Sequence, residues 1–299
     1  MKQLNYLLFL LVCLVTSIPS FAQFTINGRS VIYDKVSDTY MVSIPENAFG
    51  TDYEASIALD ATAGWSNLSI EGTDIADNYT FKQVEGNKIY KIHAQEGDKE
   101  INTQLTFTFL PLLVMEGTFG YSYAQGNISL LSPDAAEPTN SFAKVKWRGG
   151  TTNTADKHKR NYKIKTLNEK GKKQEISLLG MREDNNWILD AGQIDLFRLR
   201  NRIATEIWND FATKPYYASK EPKAKSGVTG KVVEVILNNE YRGIYSLTEA
   251  MDRKELKLKK YDDKNQEFHG QLWKVSSWDK ATFWDIDKDY DNTQETWHA

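Results

Sequence analysis

Between residue 24 and about residue 113 the chain is cut into short apolar stretches by Asn, Asp and Gly at roughly ten-residue spacing, and this rhythm restricts its folding more than any other feature. Residues 39–44, 88–92 and 105–109 are rich in Tyr, Phe, Thr, Ile and Val and alternate with period two. In extended chain successive side chains point to opposite faces, so each stretch can bury one face and wet the other. Many such strands separated by polar turns, Glu85-Gly86-Asn87 among them, predict an antiparallel β-sandwich over residues 23–113. No residue pattern in this half carries chemistry. Trp65 leaves two readings open: a core aromatic, or part of a carbohydrate-binding surface.

After Phe142 the composition changes. Residues 144–173 hold nine lysines and two arginines against Asp156 and Glu169, a local net charge of +9 in a chain whose formal total is −3. With no basic field over the whole chain, and no His or Asp cluster beside the basic residues, nucleic-acid binding is not expected. Residues 143–148 and 161–167 alternate as two strands around a loop of small hydroxyl and amide residues. Asp195 reads as a helix N-cap, and Leu196, Leu199, Ile203 and Ile207 at helical spacing predict a helix running to Phe211. Residues 231–237 and 241–248 predict a hairpin about Asn238-Asn239, and residues 271–275 a further strand. Residues 114–299 are therefore expected to form an α+β domain after the all-β one.

The first hairpin carries the residues suited to chemistry. Trp147-Arg148-Gly149-Gly150 leads into a Thr- and Asn-rich loop, then Lys157-His158-Lys159-Arg160 and Tyr162-Lys163-Ile164-Lys165. Paired glycines let backbone amides converge on one point, and cations with hydroxyls around them neutralise a polyphosphate. Alternation sends Lys163 and Lys165 to the face opposite Tyr162 and Ile164. A basic hairpin exposed only to solvent is the competing reading. In a kinase-like site a strand lysine grips phosphates and a helix glutamate orients it; Glu206, beside Ile203, is available for that, as is a solvated role next to Arg202.

Several blocks in order resemble the CotH kinase family: Trp147-Arg148-Gly149, residues 159–165, Leu178-Leu179-Gly180-Met181, Asn186-Trp187-Ile188-Leu189, Asp195 with Leu199-Arg200-Asn201, residues 235–245 and Leu247-Thr248-Glu249. The resemblance runs from about residue 112 to the end. It implies an atypical kinase-like fold whose first lobe is α+β, transferring the γ-phosphate of ATP to Ser or Thr of exported proteins with Mg²⁺ or Mn²⁺. By position it makes Arg148, Lys163 and Lys165 the phosphate grip, with Glu206 and Glu249 competing to orient a lysine. Trp187 is expected in the core. The carboxylates that a kinase needs in its second lobe are not identifiable, so the sequence reads as C-terminally incomplete. Asp279, Asp285, Asp287, Asp289 and Asp291 alternate, but Tyr290 stands where a calcium loop wants Gly and Thr296 where it wants a bidentate acid, so the run is read as a solvated loop.

At the N-terminus Lys2, the apolar residues 6–15 and Ser20-Phe21-Ala22 follow the order of a secretory signal peptide, with cleavage expected after Ala22. The apolar run is shorter than the ~20 residues a bilayer span needs, and no later stretch is longer. Cys13, the only cysteine, lies inside that run, so the mature chain is expected to lack disulfides, thiol nucleophiles and Cys-ligated zinc. The sequence thus predicts an exported protein, secreted or held at the cell surface, whose partner is a protein substrate. The alternative is a surface-binding protein that recognises polysaccharide or another protein.

Overall fold

A computed structural model describes residues 23–259 except 63 and 155, and beyond them residues 261, 262, 264–266, 272, 274, 275, 297 and 298. The expected signal peptide with Cys13 and the acidic run at residues 279–291 lie outside the described residues. The chain divides into two units: Met1–Leu199 with Gly230–Thr248, and Arg200–Thr229 with Glu249–Ala299. The fold is mostly β.

In the first unit, residues 24–108 build two sheets from β1 (Phe24–Ile26), β2 (Arg29–Ser30), β3 (Ile32–Asp34), β4 (Thr39–Ser43), β5 (Tyr53–Leu59), β6 (Trp65–Ile70), β7 (Thr73–Asp74), β8 (Asn78–Phe81), β9 (Tyr90–Glu96) and β10 (Lys99–Thr108). One sheet has the order β2-β1-β5-β8 and the other β3-β4-β10-β9-β6-β7. Their inward residues share one core that includes Phe24, Phe81, Tyr90 and Phe107, with aromatic edges meeting faces at 4.8–5.5 Å. Such contacts add to area burial by about 0.5–1.5 kcal/mol per pair. Trp65 packs on this core, stacking at 6.0 Å on Phe24, while remaining partly open.

The same unit continues into a closed barrel of β11 (Leu112–Glu116), β12 (Ala124–Leu131), β13 (Thr139–Arg148), β14 (Asn161–Leu167), β15 (Asn186–Asp190), β16 (Gly230–Leu237) and β17 (Glu240–Glu249). Its order is β11-β12-β13-β14-β15-β17-β16, and β16 closes it by pairing in parallel with β11. The expected boundary at residues 113 and 114 falls within β11. Inward residues from every strand fill the barrel, with Leu113, Val145, Ile164, Val235 and Trp187 all fully buried. Trp187 is thus a core residue, as expected.

Leu112 and Val114 point out of the barrel and bury with Ile32 and Met41 of the sandwich and with Leu131 and Ile236. Both faces of β11 are therefore apolar, which is why Leu112-Leu113-Val114-Met115 shows no alternation. Polar clamps ring this junction. Arg29 Nη1 donates to the carbonyls of Ser132 at 3.0 Å and Ala135 at 2.8 Å. The buried Asp34 carboxylate accepts from Ser37 Oγ, from the backbone N–H groups of Val36 and Ser37, and from Tyr241 N–H at 3.0 Å. Desolvation pushes this carboxyl up, and the hydrogen bonds donated to it outweigh that and hold it below its ordinary value.

The hairpin about Asn238-Asn239 forms as expected. Both residues have positive φ, 52° and 59°, the requirement of a two-residue type I′ turn, and both are asparagine because it tolerates that region. Gly126 is required by close approach, since a Cβ there would lie 2.2 Å from the Glu116 carbonyl oxygen.

Among the described residues of the second unit one helix, α1 (Arg200–Phe211), begins five residues after its expected cap. Asp195 instead closes a local turn by accepting from Phe197 N–H, and Arg198 at φ 64° is incompatible with a continuing helix. Nor does α1 bury the expected stripe among the described residues: Ile203 and Ile207 are 52% and 54% exposed, and the buried residue is Arg202. Residues 226–228 run along α1, accepting from Trp208 Nε1 at 3.0 Å and Asn209 Nδ2 at 3.0 Å through Ser226 O and Val228 O. Lys274–Val275 and Trp297–His298 pair antiparallel. Among the described residues no helix is long and apolar enough to cross a membrane.

Candidate functional site

The basic residues of the second half converge on the β13–β14 hairpin. Its register sets Lys144 directly opposite Lys165 and Lys146 directly opposite Lys163, and both pairs lie on the face turned away from the core residues Val145 and Ile164. Like charges directly opposed across an antiparallel pair cost stability. Part of that cost is offset by Tyr123, whose ring takes the Lys146 ammonium at 5.0 Å and the Lys165 ammonium at 4.8 Å. The ion pairs of the described residues do not include Lys144, Lys146 or Lys165. A ladder of four cations on one short hairpin is a surface that favours an anion.

Arg148 ends β13, exposed at the mouth of the barrel, and opposes Asn161. Between them the chain turns through Gly149, at φ 106°, where a Cβ would lie 2.2 Å from Thr152 Oγ1, and then a single 3₁₀ turn, Thr151–Asn153. Asn161, which is buried, ties this loop down by donating to Thr152 Oγ1 at 3.1 Å while accepting from Ala191 N–H at 2.6 Å. Asn153 is also buried. Its side-chain oxygen accepts from Arg160 Nη1 at 3.3 Å, and its Nδ2 donor is buried without a partner among the described residues. An unmet donor in a basic loop is a place where an incoming acceptor lowers the free energy. Asp156 is occupied locally: the Lys157 ammonium and Thr154 hydroxyl bound to it hold its carboxyl at about 2.

Lys159 enters the mouth of the barrel, and sequence reasoning gives it no separate role. Its ammonium lies 4.2 Å from the centroid of the Tyr245 ring and donates to the carbonyl of Ile244. The neighbouring Gly243 has φ 79°, a conformation that residues with a Cβ rarely adopt. Burial, and then the Arg198 charge, bring its pKa down to about 8, with Asp190 acting in the opposite sense. A lysine kept short of negative partners in this way gains from any polyphosphate that reaches it. Arg160 lies over Trp147 at 4.7 Å, so the aromatic side chains of the mouth carry cations on their faces.

The two expected carboxylates lie in the second unit. Glu206 forms an ion pair with Arg202, its Oε1 3.1 Å from Nε, one turn back on α1. Glu249 holds a lysine, and that lysine is Lys225: both carboxylate oxygens lie 3.1 Å from its Nζ, and Thr229 N–H donates to Oε2 at 2.8 Å. Glu255 lies 3.7 Å from the same ammonium, and Glu249 and Glu255 are each 1% exposed. The structure thus gathers Arg148, Lys163 and Lys165 on one hairpin of the first unit and places Glu206 and Glu249 in separate contacts of the second. Nothing in the local sequence around Lys225 marks it, because its partners come from residues 24 and 30 positions away.

A profile of the family described as CotH kinase protein matches residues 145–298, just over half of the chain. No curated protein matches it.

Proposed function

From the membership of this chain in the CotH kinase protein family, which its sequence match shows, we propose that the barrel is the nucleotide-holding lobe of an ATP-dependent protein phosphotransferase. The observation that carries this reading is the two pairs of directly opposed lysines on β13 and β14, Lys144 with Lys165 and Lys146 with Lys163. Lysines set directly opposite one another on one face give an incoming anion several charge-assisted donors. In this reading Lys163 and Lys165 bind the phosphates and Arg148 adds a forked donor at the end of the strand. The loop anchored by Asn161 supplies backbone amides and the unmet Asn153 donor. Lys159 receives negative charge at the barrel mouth, where its desolvated ammonium most needs it.

The acceptor is a Ser or Thr hydroxyl of a protein outside the cytoplasm; the export step rests on the N-terminal pattern of residues 2–22. The Lys225–Glu249 pair, whose carboxylate is buried, supports the kinase assignment in the second unit, since a glutamate that fixes one lysine rotamer is a recurring device of phosphoryl transfer. Mg²⁺ or Mn²⁺, when bound, neutralises charge on the bridging phosphate oxygens. Among the described residues no three His, Cys, Asp or Glu side chains gather to hold such an ion, and the alternating aspartates at residues 279–291 lie outside them.

Equilibrium titration of ATP tests the grip. Lys165→Ala and Lys163→Ala are expected to weaken binding most and Arg148→Ala less, with affinity falling as salt screens the ladder. Equal binding by the wild type and all three variants would show that the hairpin is only a wetted surface.

A further inference from the structure

A second concave site lies in the first unit, away from the lysine ladder. It is a cavity of about 400 Å³ lined by strands of the six-stranded sheet, with Gln23 at one side and Asn239 of the β16–β17 turn at another. This volume lies within the range of small-ligand sites, about 300–1,000 Å³. Three aromatic rings wall it. Tyr33 and Tyr40 have centroids 4.9 Å apart, and Trp65 meets Tyr40 edge-on at 5.8 Å.

The polar groups around these rings are mostly acceptors. Asp38, Glu96 and Glu100 contribute three carboxylates, against the single ammonium of Lys99. Asp38 is held in place: Tyr33 OH donates to its Oδ1 at 2.8 Å, and Thr103 Oγ1 donates to the same oxygen at 3.1 Å and to the Asp38 carbonyl at 2.8 Å. Both bonds fall on one carboxylate oxygen. The Gln23 side-chain oxygen, another acceptor, is buried without a hydrogen-bond partner among the described residues. Aromatic rings beside the fixed Asp38 carboxylate, two further carboxylates and an unmet acceptor call for a ligand that donates hydrogen bonds, carries positive charge and has an apolar stem.

We propose that this cleft binds an organic cation, an alkylammonium or guanidinium group seated against Trp65, Tyr33 and Tyr40 and paired with Asp38 and Glu96. The rings attract the cation through their negative faces and the carboxylates supply the charge-assisted bonds. The site is independent of phosphoryl transfer. One chemistry could arrive from two sources, a Lys or Arg side chain of a polypeptide or a small free amine.

Calorimetric titration of the full chain, without nucleotide, tests the proposal with four probes: n-butylammonium, N-acetyl-lysine methylamide, N-acetyl-arginine methylamide and the neutral N-acetyl-norleucine methylamide. Saturable binding of the cations and none of the neutral probe is expected. Because Trp65 and Tyr40 also pack on Phe24, the decisive variants are acidic. Asp38→Asn keeps a residue that tolerates the local φ of 53°, and Glu96→Gln is isosteric. Each is expected to weaken cation binding about fivefold, and Lys99→Gln to strengthen it. Preference for the amino-acid probes over n-butylammonium supports a polypeptide source, and equal binding supports a small amine. The proposal is overturned if no cation binds saturably, if the neutral probe or a neutral oligosaccharide binds as tightly, or if both acidic variants leave cation binding unchanged.

Discussion

Replacing Lys165 with Glu separates anion binding from folding. Lys165 faces Lys144 directly across β13–β14, and its ammonium sits 4.8 Å from the Tyr123 ring centroid. Opposed like charges cost roughly 0.2–1 kcal/mol, and a glutamate in that place turns repulsion into an attraction of similar size. The substitution also gives up the contact with Tyr123, worth about 0.5–1 kcal/mol at an accessible site. These terms largely cancel, so stability is expected to stay within ~1 kcal/mol of the wild type. At a denaturant slope of about 2 kcal/mol/M or more, the urea midpoint then moves by about 0.5 M or less. Nucleotide binding has no such compensation. Loss of one charge-assisted bond to phosphate costs about 1.5–3 kcal/mol, which is roughly 10- to 150-fold in affinity, and the new carboxylate repels the ligand further. Urea unfolding and ATP titration on the same preparation read both quantities. An ATP affinity within about twofold of the wild type, or a collapse of the unfolding midpoint, refutes the reasoning; the first denies the anion site and the second makes Lys165 a structural residue.

Two further expectations concern protons. Lys159 titrates at about 8, so at pH 8 about half of the molecules carry a neutral amine there; bound polyphosphate favours the ammonium, so binding should draw about half a proton from buffer. This uptake, read from the dependence of binding enthalpy on buffer ionisation, should vanish in Lys159→Ala, and ATP affinity should fall as pH rises above 8. Uptake that persists in the variant would place the titrating group elsewhere. Asp34 works with the opposite sign: its folded-state pKa is lowered, so its contribution to stability is complete above the unfolded carboxyl pKa of about 3.9 and is lost as pH falls through the lower folded value. Asp34→Asn should therefore lower the urea midpoint at pH 7 and flatten its fall between pH 5 and 2. An unchanged acid limb would mean that the carboxylate does not carry the junction between sandwich and barrel.

What could be read from the sequence was local. The bounds of β14 follow from alternation, with Tyr162, Ile164 and Thr166 inward and the lysines outward, and the Asn238-Asn239 turn follows from the backbone tolerance of asparagine. Closure of the barrel left no local sign, because it depends on β11 pairing with β16 across about 120 residues and on a strand buried on both faces. The helix start was misplaced because Asp195 caps equally well a turn that stops two residues on, and only the positive φ of Arg198 decides between them. Among site residues, Arg148, Lys163 and Lys165 were legible as a basic hairpin, since charge and alternation are both read within one segment. Lys159 was not set apart from its basic neighbours, because its partners, the Tyr245 ring and the Ile244 carbonyl, come from β17. The partner of Glu249 was hidden for the same reason.

Hydrogen exchange of the backbone amides with and without ATP tests the central claim most directly. If the cationic hairpin holds the phosphates, amides of residues 142–167 should slow on nucleotide addition, most strongly in the loop at residues 149–160, and Lys165→Glu should erase that protection. Unchanged exchange throughout those residues at saturating ATP, or protection confined to another part of the chain, would contradict it.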